Sequence, residues 1–133
     1  MPGNPAARGL ADLRRQDTAP SMVLYAVDGT AAPGSPGPQL APLTATAITA
    51  VGAGNGHVLD TSHVIFPNGA ITLVLILAES HLSIHTWPEQ DLVAIDLFSC
   101  GAIDGEAVIG ALVRDLQLES VTTQRIPRGR SAG

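Results

Sequence analysis

Glu79, Ser80, His81, Ser83, His85 and the lone Cys100 gather carboxylate, hydroxyl, imidazole and thiol groups in one short region. It comes directly after Ala70 to Leu77, a run apolar except for Thr72. In an extended segment His81, Ser83 and His85 project the same way. Three chemistries are open to such a set. Two histidines four apart can bind a metal, but chiefly on a helix; Trp87-Pro88 argues against a helix here, and no third ligand is evident. Ser80, His85 and Asp96 could form a hydrolytic triad, yet no Gly-x-Ser-x-Gly elbow or oxyanion loop surrounds Ser80. The third is imine chemistry. The chain has no lysine, so it cannot hold pyridoxal phosphate as an internal Schiff base, and any carbonyl that takes up amines must sit on the protein itself. The blander readings make Glu79-Ser80 the start of a loop and Cys100 a small buried hydrophobe. Spacing alone does not choose among these.

The elements that would position these groups can be read from pattern. Met22 to Val27 reads as a strand ended by the turn dipeptide Asp28-Gly29. The following Ala31-Ala32-Pro33-Gly34-Ser35-Pro36-Gly37-Pro38 forbids regular structure, because proline fixes φ and removes donors. Leu40 to Val51 reads as a helix with Pro42 in its first turn, although Thr44, Thr46 and Thr49 are poor formers. His57 to Phe66 has strand character, and Pro67-Asn68-Gly69 reverses the chain. Ile71 to Leu77, apolar on both faces, predicts a central strand covered on each side. Leu92 to Phe98 predicts another strand, with Val93, Ile95 and Leu97 on one face and Ala94, Asp96, Phe98 and Cys100 on the other. Asp104 would cap a helix through Gln117 with the stripe Val108, Ala111, Leu112 and Leu116. Val121 to Ile126 is a last strand.

The fold class that follows is α/β (α+β): a two-layer sandwich, mostly antiparallel sheet, with two helices packed on one face. Residues 1–20 are expected to be disordered, 21–126 to form the single domain, and 127–133 to be a flexible tail. No internal repeat and no phosphate-binding glycine loop is present.

Composition bounds the partners. The 133 residues are 45% apolar and only 14% charged, with seven basic against twelve acidic side chains for a net charge of −5. That balance disfavours nucleic acid and anionic membrane; the one basic concentration, Arg125, Arg128 and Arg130, reads as a solvated tail. The sparse charge suits a surface partly covered by a second copy of the chain. One cysteine excludes an internal disulfide. The charged N-terminus does not read as a signal peptide, and the longest apolar run, Ala70 to Ala78, is half of what a membrane-spanning helix needs. A cytoplasmic protein is expected.

The segment Glu79-Ser80-His81-Leu82-Ser83-Ile84-His85-Thr86-Trp87-Pro88-Glu89, with Ala94-Ile95-Asp96-Leu97-Phe98-Ser99-Cys100-Gly101 behind it, closely resembles the prokaryotic S-adenosylmethionine decarboxylase proenzymes. These are pyruvoyl-dependent enzymes of polyamine (spermidine) biosynthesis. The resemblance implies self-cleavage between Glu79 and Ser80: residues 1–79 become the β chain, and residues 80–133 the α chain. The cofactor would be a covalent pyruvoyl group derived from Ser80, whose ketone condenses with the substrate α-amine. By the same resemblance His85 assists maturation, Thr72 stands where the family has its processing serine, and Cys100 reprotonates the decarboxylated carbon. Glu89 would bind the ribose hydroxyls, and Phe66 would lie against the adenine. No metal is implied. A homodimer or higher assembly is, with sites near a protomer contact.

Departures from the family pattern fall on the substrate side. Ala19-Pro20-Ser21-Met22 replaces a Gly-Arg-His strand start, Val64-Ile65 replaces His-Arg, and Gln90-Asp91-Leu92 replaces Tyr-Gly-Tyr. The acidic lead into the first helix has become the Pro/Gly run. The maturation residues are kept while the pocket walls are altered, so L-ornithine or L-arginine decarboxylation, or a non-catalytic binding homologue, stand beside adenosylmethionine as alternatives.

Overall fold

A computed structural model describes residues 22–129. The segment 1–21, which includes the disordered stretch expected over 1–20, and residues 130–133 lie outside the described residues. The chain forms one six-stranded sheet in the order β2-β3-β4-β5-β1-β6. Its strands are β1 (Met22–Ala31), β2 (Val58–Ile65), β3 (Ile71–Leu77), β4 (Ser80–Trp87), β5 (Leu92–Ser99) and β6 (Leu118–Arg128). Every neighbouring pair is antiparallel. Two helices, α1 (Leu40–Ala53) and α2 (Gly105–Asp115), cover one face. The two-layer α+β sandwich expected from the sequence is what forms.

The core lies between the helices and the sheet. In α1 the buried residues Leu43, Ala47, Ala50 and Val51 recur at helical spacing, which turns Ala45, Ile48 and Thr49 outward. Helix α2 starts where Asp104 predicts, its side chain accepting from the N–H of Ala107 at 3.1 Å. It ends two residues earlier than the pattern suggests, at Asp115, because Gln117 turns to φ 54°. Its inner residues Val108, Ile109, Ala111 and Leu112 meet Leu82, Ile84, Ile95 and Leu97 from the central strands. Gly105 permits the closest approach: a Cβ there would lie 2.4 Å from the Tyr25 ring.

Three expectations are corrected. Asp28-Gly29 is not a turn. Gly29 pairs with Val93 inside a longer β1, and the irregularity it introduces is a bulge against β6 between Asp28 and Thr30. The basic C-terminal residues are not all tail. Strand β6 runs from Leu118 to Arg128; Arg125 pairs with Glu106 at 2.8 Å, and Arg128 sits 5.4 Å from the centre of the Phe98 ring. Among the described residues strand β3 is covered on one side only. Leu73, Leu75 and Leu77 are buried under the helices, whereas Ile76 on the opposite face is 46% exposed.

That opposite face is consequently the functionally interesting one. Register places Ile126, Leu24, Phe98, His81 and Ile76 in one row across the open face, and Ala94, His85 and Thr72 in another. None of these residues is fully buried, and much of the surface they form is apolar. Among the described residues no helix is long and apolar enough to cross a membrane.

Candidate active site

Ser80 begins β4, and the ladder sets it opposite Ser99, the last residue of β5, with Cys100 following. Cys100 is 2% exposed. Its Sγ donates to the carbonyl oxygen of Glu79 at 2.9 Å and lies 3.8 Å from Ser80 Oγ. The peptide between residues 79 and 80 is thus bracketed: a thiol on its carbonyl oxygen, and beside that thiol the hydroxyl of the following residue. A donor on a carbonyl oxygen stabilises negative charge that develops there, which favours nucleophilic attack on the carbon.

The backbone at this point is strained. Ser80 has φ 139°, a value that L-residues avoid. Such a conformation costs on the order of 1–3 kcal/mol and persists only where its surroundings over-determine it. Those surroundings are specific. The Glu79 carboxylate, fully buried, accepts from the backbone N–H of His57 at 3.0 Å and shares a 2.7 Å contact with His57 Nδ1. Ala78 in turn donates its N–H to the carbonyl of His57 at 2.9 Å.

A second group lies toward the other end of β4. Thr72 and His85 are cross-strand partners, with Oγ1 and Nδ1 3.1 Å apart. They line a cleft of about 310 Å³ with Phe66, Asn68, Ala70, Ile71, Thr86 and Trp87. The Pro67-Asn68-Gly69 reversal shapes its rim: Gly69 takes φ 88°, and its N–H reaches the Phe66 carbonyl at 2.8 Å. Asn68 Nδ2 donates to Glu89 Oε2 at 3.2 Å, drawing Glu89 toward the same rim. Phe66 is 46% exposed.

The predicted residues therefore fall into two sets. Glu79, Ser80 and Cys100 make one; Thr72, His85, Phe66 and Glu89 make the other. Five steps along the strand take Ser80 to His85, a span of roughly 16 Å at about 3.3 Å per residue. Among the described residues His85 Nδ1 meets Thr72, not Ser80. The same measure removes two alternatives from one copy of the site. Asp96 pairs in register with Ser83 rather than with His85, so no Ser-His-Asp relay forms. His81 and His85 sit four residues apart along an extended strand, about 13 Å at that rise, and cannot share a metal. Among the described residues no group of three or more His, Cys, Asp or Glu could hold one.

His57 escaped the sequence reading. It lies 22 positions from Glu79, and only the pairing of β2 with β3 brings them together, so local pattern carried no signal for it. Asn68 was read solely as a turn residue.

An antiparallel α+β sandwich, with a strained serine at the start of a strand and a buried thiol on the preceding carbonyl, defines the class of fold and site. The chain belongs to the S-adenosylmethionine decarboxylase family, whose model matches residues 39–129. Among similar proteins, S-adenosylmethionine decarboxylase proenzyme 2 of Bacillus cereus is 39% identical over 83 residues, covering 62% of this chain and 68% of the relative. The S-adenosylmethionine decarboxylase proenzyme of Thermoplasma volcanium is 48% identical over 68 residues, covering 50% of this chain and 52% of the relative. The fold is shared with the crystal structure of the adenosylmethionine decarboxylase from Aquifex aeolicus, at TM-score 0.73 and 23% identity, covering 85% of this chain and 94% of that one.

Proposed function

We propose that this chain is a proenzyme that cuts itself between Glu79 and Ser80 and then decarboxylates S-adenosyl-L-methionine. The observation that carries the reading is the bracketed peptide: Cys100 Sγ 2.9 Å from the Glu79 carbonyl oxygen and 3.8 Å from Ser80 Oγ, at a backbone held at φ 139°. Ser80 Oγ attacks the Glu79 carbonyl carbon, and the C–N bond breaks. The serine nitrogen takes up the hydroxyl proton, leaving an ester in place of the amide. A base then removes the Ser80 α proton, the Cβ–O bond breaks, and Glu79 departs as a free carboxylate. The remaining dehydroalanine tautomerises, and water replaces its nitrogen, releasing ammonia and leaving a pyruvoyl cap on residues 80–133.

The residues present suit such a cap. Position 80 is partly accessible, it lies at a strand terminus, and its neighbour Cys100 is a buried thiol. The pyruvoyl ketone supplies an electron sink for an α-amino acid that loses carbon dioxide. Cys100, whose Sγ donates to the Glu79 carbonyl oxygen, can deliver a proton to the carbon that loses carbon dioxide. Phe66 offers a partly exposed ring and Glu89 a carboxylate at the cleft rim, the two groups a nucleoside would meet by stacking and by ribose hydroxyl bonds.

His85 is the imidazole suited to take the α proton, but it lies too far from Ser80 within one copy. The working unit in this proposal is a homodimer that buries the open sheet faces against each other. It sets Thr72 and His85 of one copy over Ser80 and Cys100 of the other. The apolar open face, with Ile76 46% and Ile126 41% exposed, supports such an assembly.

The test has two parts. Intact mass and a denaturing gel should show two fragments for the wild type and one full-length chain for Ser80→Ala; an uncut wild type overturns self-processing. Carbon dioxide release should then be measured side by side from adenosylmethionine, L-ornithine and L-arginine. Release from a basic amino acid instead would reassign the substrate, and release from none would leave a binding homologue.

A further inference from the structure

We infer that His57 is a positioning residue for self-cleavage: it clamps the Glu79 side chain so that the peptide it precedes is presented to Ser80 in its strained form. The inference rests on the self-processing reading and deepens it. Residue 57 grips the strand end three times. Its carbonyl takes the N–H of Ala78 at 2.9 Å, its own N–H reaches Glu79 Oε1 at 3.0 Å, and its Nδ1 meets Glu79 Oε2 at 2.7 Å.

The two oxygens of the carboxylate are thereby both engaged by a single residue, while the carbonyl of the same glutamate is held by Cys100 at 2.9 Å. Glutamate 79 is fixed at both its side chain and its backbone, and the peptide plane between them has little freedom to rotate. Free rotation there is what would relax Ser80 from φ 139° into ordinary strand geometry. A buried carboxylate without partners would also be costly, and its charge would oppose the oxyanion forming on the neighbouring carbonyl. The Nδ1 contact supplies a partner for that charge. The His57 side chain itself is 66% exposed, against none for Glu79. It contributes little apolar packing, which makes its role in the clamp separable from a role in the core.

The experiment follows cleavage of freshly folded, uncut full-length chain by denaturing gel and intact mass, in wild type, His57→Leu and His57→Asn. Asparagine places an amide N–H where Nδ1 stands; leucine does not. His57→Leu should cut about tenfold or more slowly, the scale expected when a hydrogen bond is withdrawn from the carboxylate that positions the reacting peptide. His57→Asn should stay within about threefold of wild type, as a retained bond implies. Both variants should keep wild-type melting temperatures within a few degrees. A second readout isolates the step. In a His85→Ala background, hydroxylamine cleaves any ester accumulated at Ser80, and the yield of that cleavage should fall with His57→Leu and recover with His57→Asn. If leucine does not fold, His57→Ala takes its place in both assays. Wild-type cutting by any folded variant without a donor at position 57 overturns the inference while leaving self-processing intact. Equal slowing by asparagine and leucine, in step with lost thermal stability, also overturns it. An uncut wild type would instead sink the underlying reading.

Discussion

Thr72 Oγ1 lies 3.1 Å from His85 Nδ1 across the β3–β4 ladder, a contact that orients the imidazole. When Nδ1 donates to the threonine oxygen, Nε2 keeps its lone pair and can accept a proton. In the proposed self-cleavage the threonine would orient the imidazole and the histidine would act as base.

His85→Ala should leave the chain largely uncut, with the defect in elimination rather than in ester formation. Thr72→Val, which removes the oxygen and keeps the shape, should slow cutting by about tenfold, and Thr72→Ser should restore it, as expected for an orienting hydrogen bond. The time course of fragment appearance on a denaturing gel checks both. Normal maturation of His85→Ala would reassign the base.

Separation of Ser80 from His85 along one strand makes a sharper prediction. Ser80→Ala and His85→Ala should each remain uncut when produced alone. Co-produced and allowed to exchange subunits, the His85→Ala chain, which keeps its serine, should be cut by the imidazole of its Ser80→Ala neighbour. Differently tagged chains resolved by mass spectrometry would show cleavage of that chain only. Failure of complementation, with mixed dimers demonstrated, would place both groups in one copy.

Cys100 touches the scissile carbonyl as well as residue 80, so its removal should be felt twice. Cys100→Ala should mature several-fold more slowly, consistent with loss of one weak carbonyl donor. The matured fraction should then show little turnover, for want of a proton donor. Gel kinetics and carbon dioxide release per mole of cut chain separate the two effects; full turnover would remove the donor role.

On the helical side, the Arg125 guanidinium hydrogen-bonded to Glu106 holds that carboxyl below its ordinary value of 4.5. A carboxylate whose pKa is depressed by folding adds stability above its unfolded pKa, and this is lost as pH falls through the folded value. The difference in urea midpoint between wild type and Arg125→Ala should therefore be small at pH 7 and vanish in acid. It should shrink with salt, because the pair is exposed. A difference that grows on acidification would contradict the pairing.

What could be read from the chain alone was what local physics decides. Asp104 caps α2 as its side chain dictates, and the alternation of Val93, Ile95 and Leu97 gives the buried face of β5. The dense segment around Ser80 carried the resemblance to the S-adenosylmethionine decarboxylase family, to which the chain belongs. What stayed hidden depends on partners distant in sequence. Gly29 looked like a turn because its neighbours in β5 and β6 are supplied by residues more than sixty positions away. Ile71 to Leu77 looked covered on both sides, but the described residues provide helices for only one face. His57 carried no local mark, since its meaning lies in the Glu79 carboxylate that β2–β3 pairing delivers to it.

The strand order has a consequence for the cut molecule. Strands β1, β2 and β3 precede the Glu79–Ser80 junction and β4, β5 and β6 follow it, yet β1 is inserted between β5 and β6. Scission there, as proposed, would leave two polypeptides woven through one fabric, held by ladders on both flanks of β1. The pieces stay together while folded, but once melted they must find each other in solution. Before maturation, unfolding is an intramolecular event; afterwards the melting point should rise with protein concentration, as for any dissociating complex.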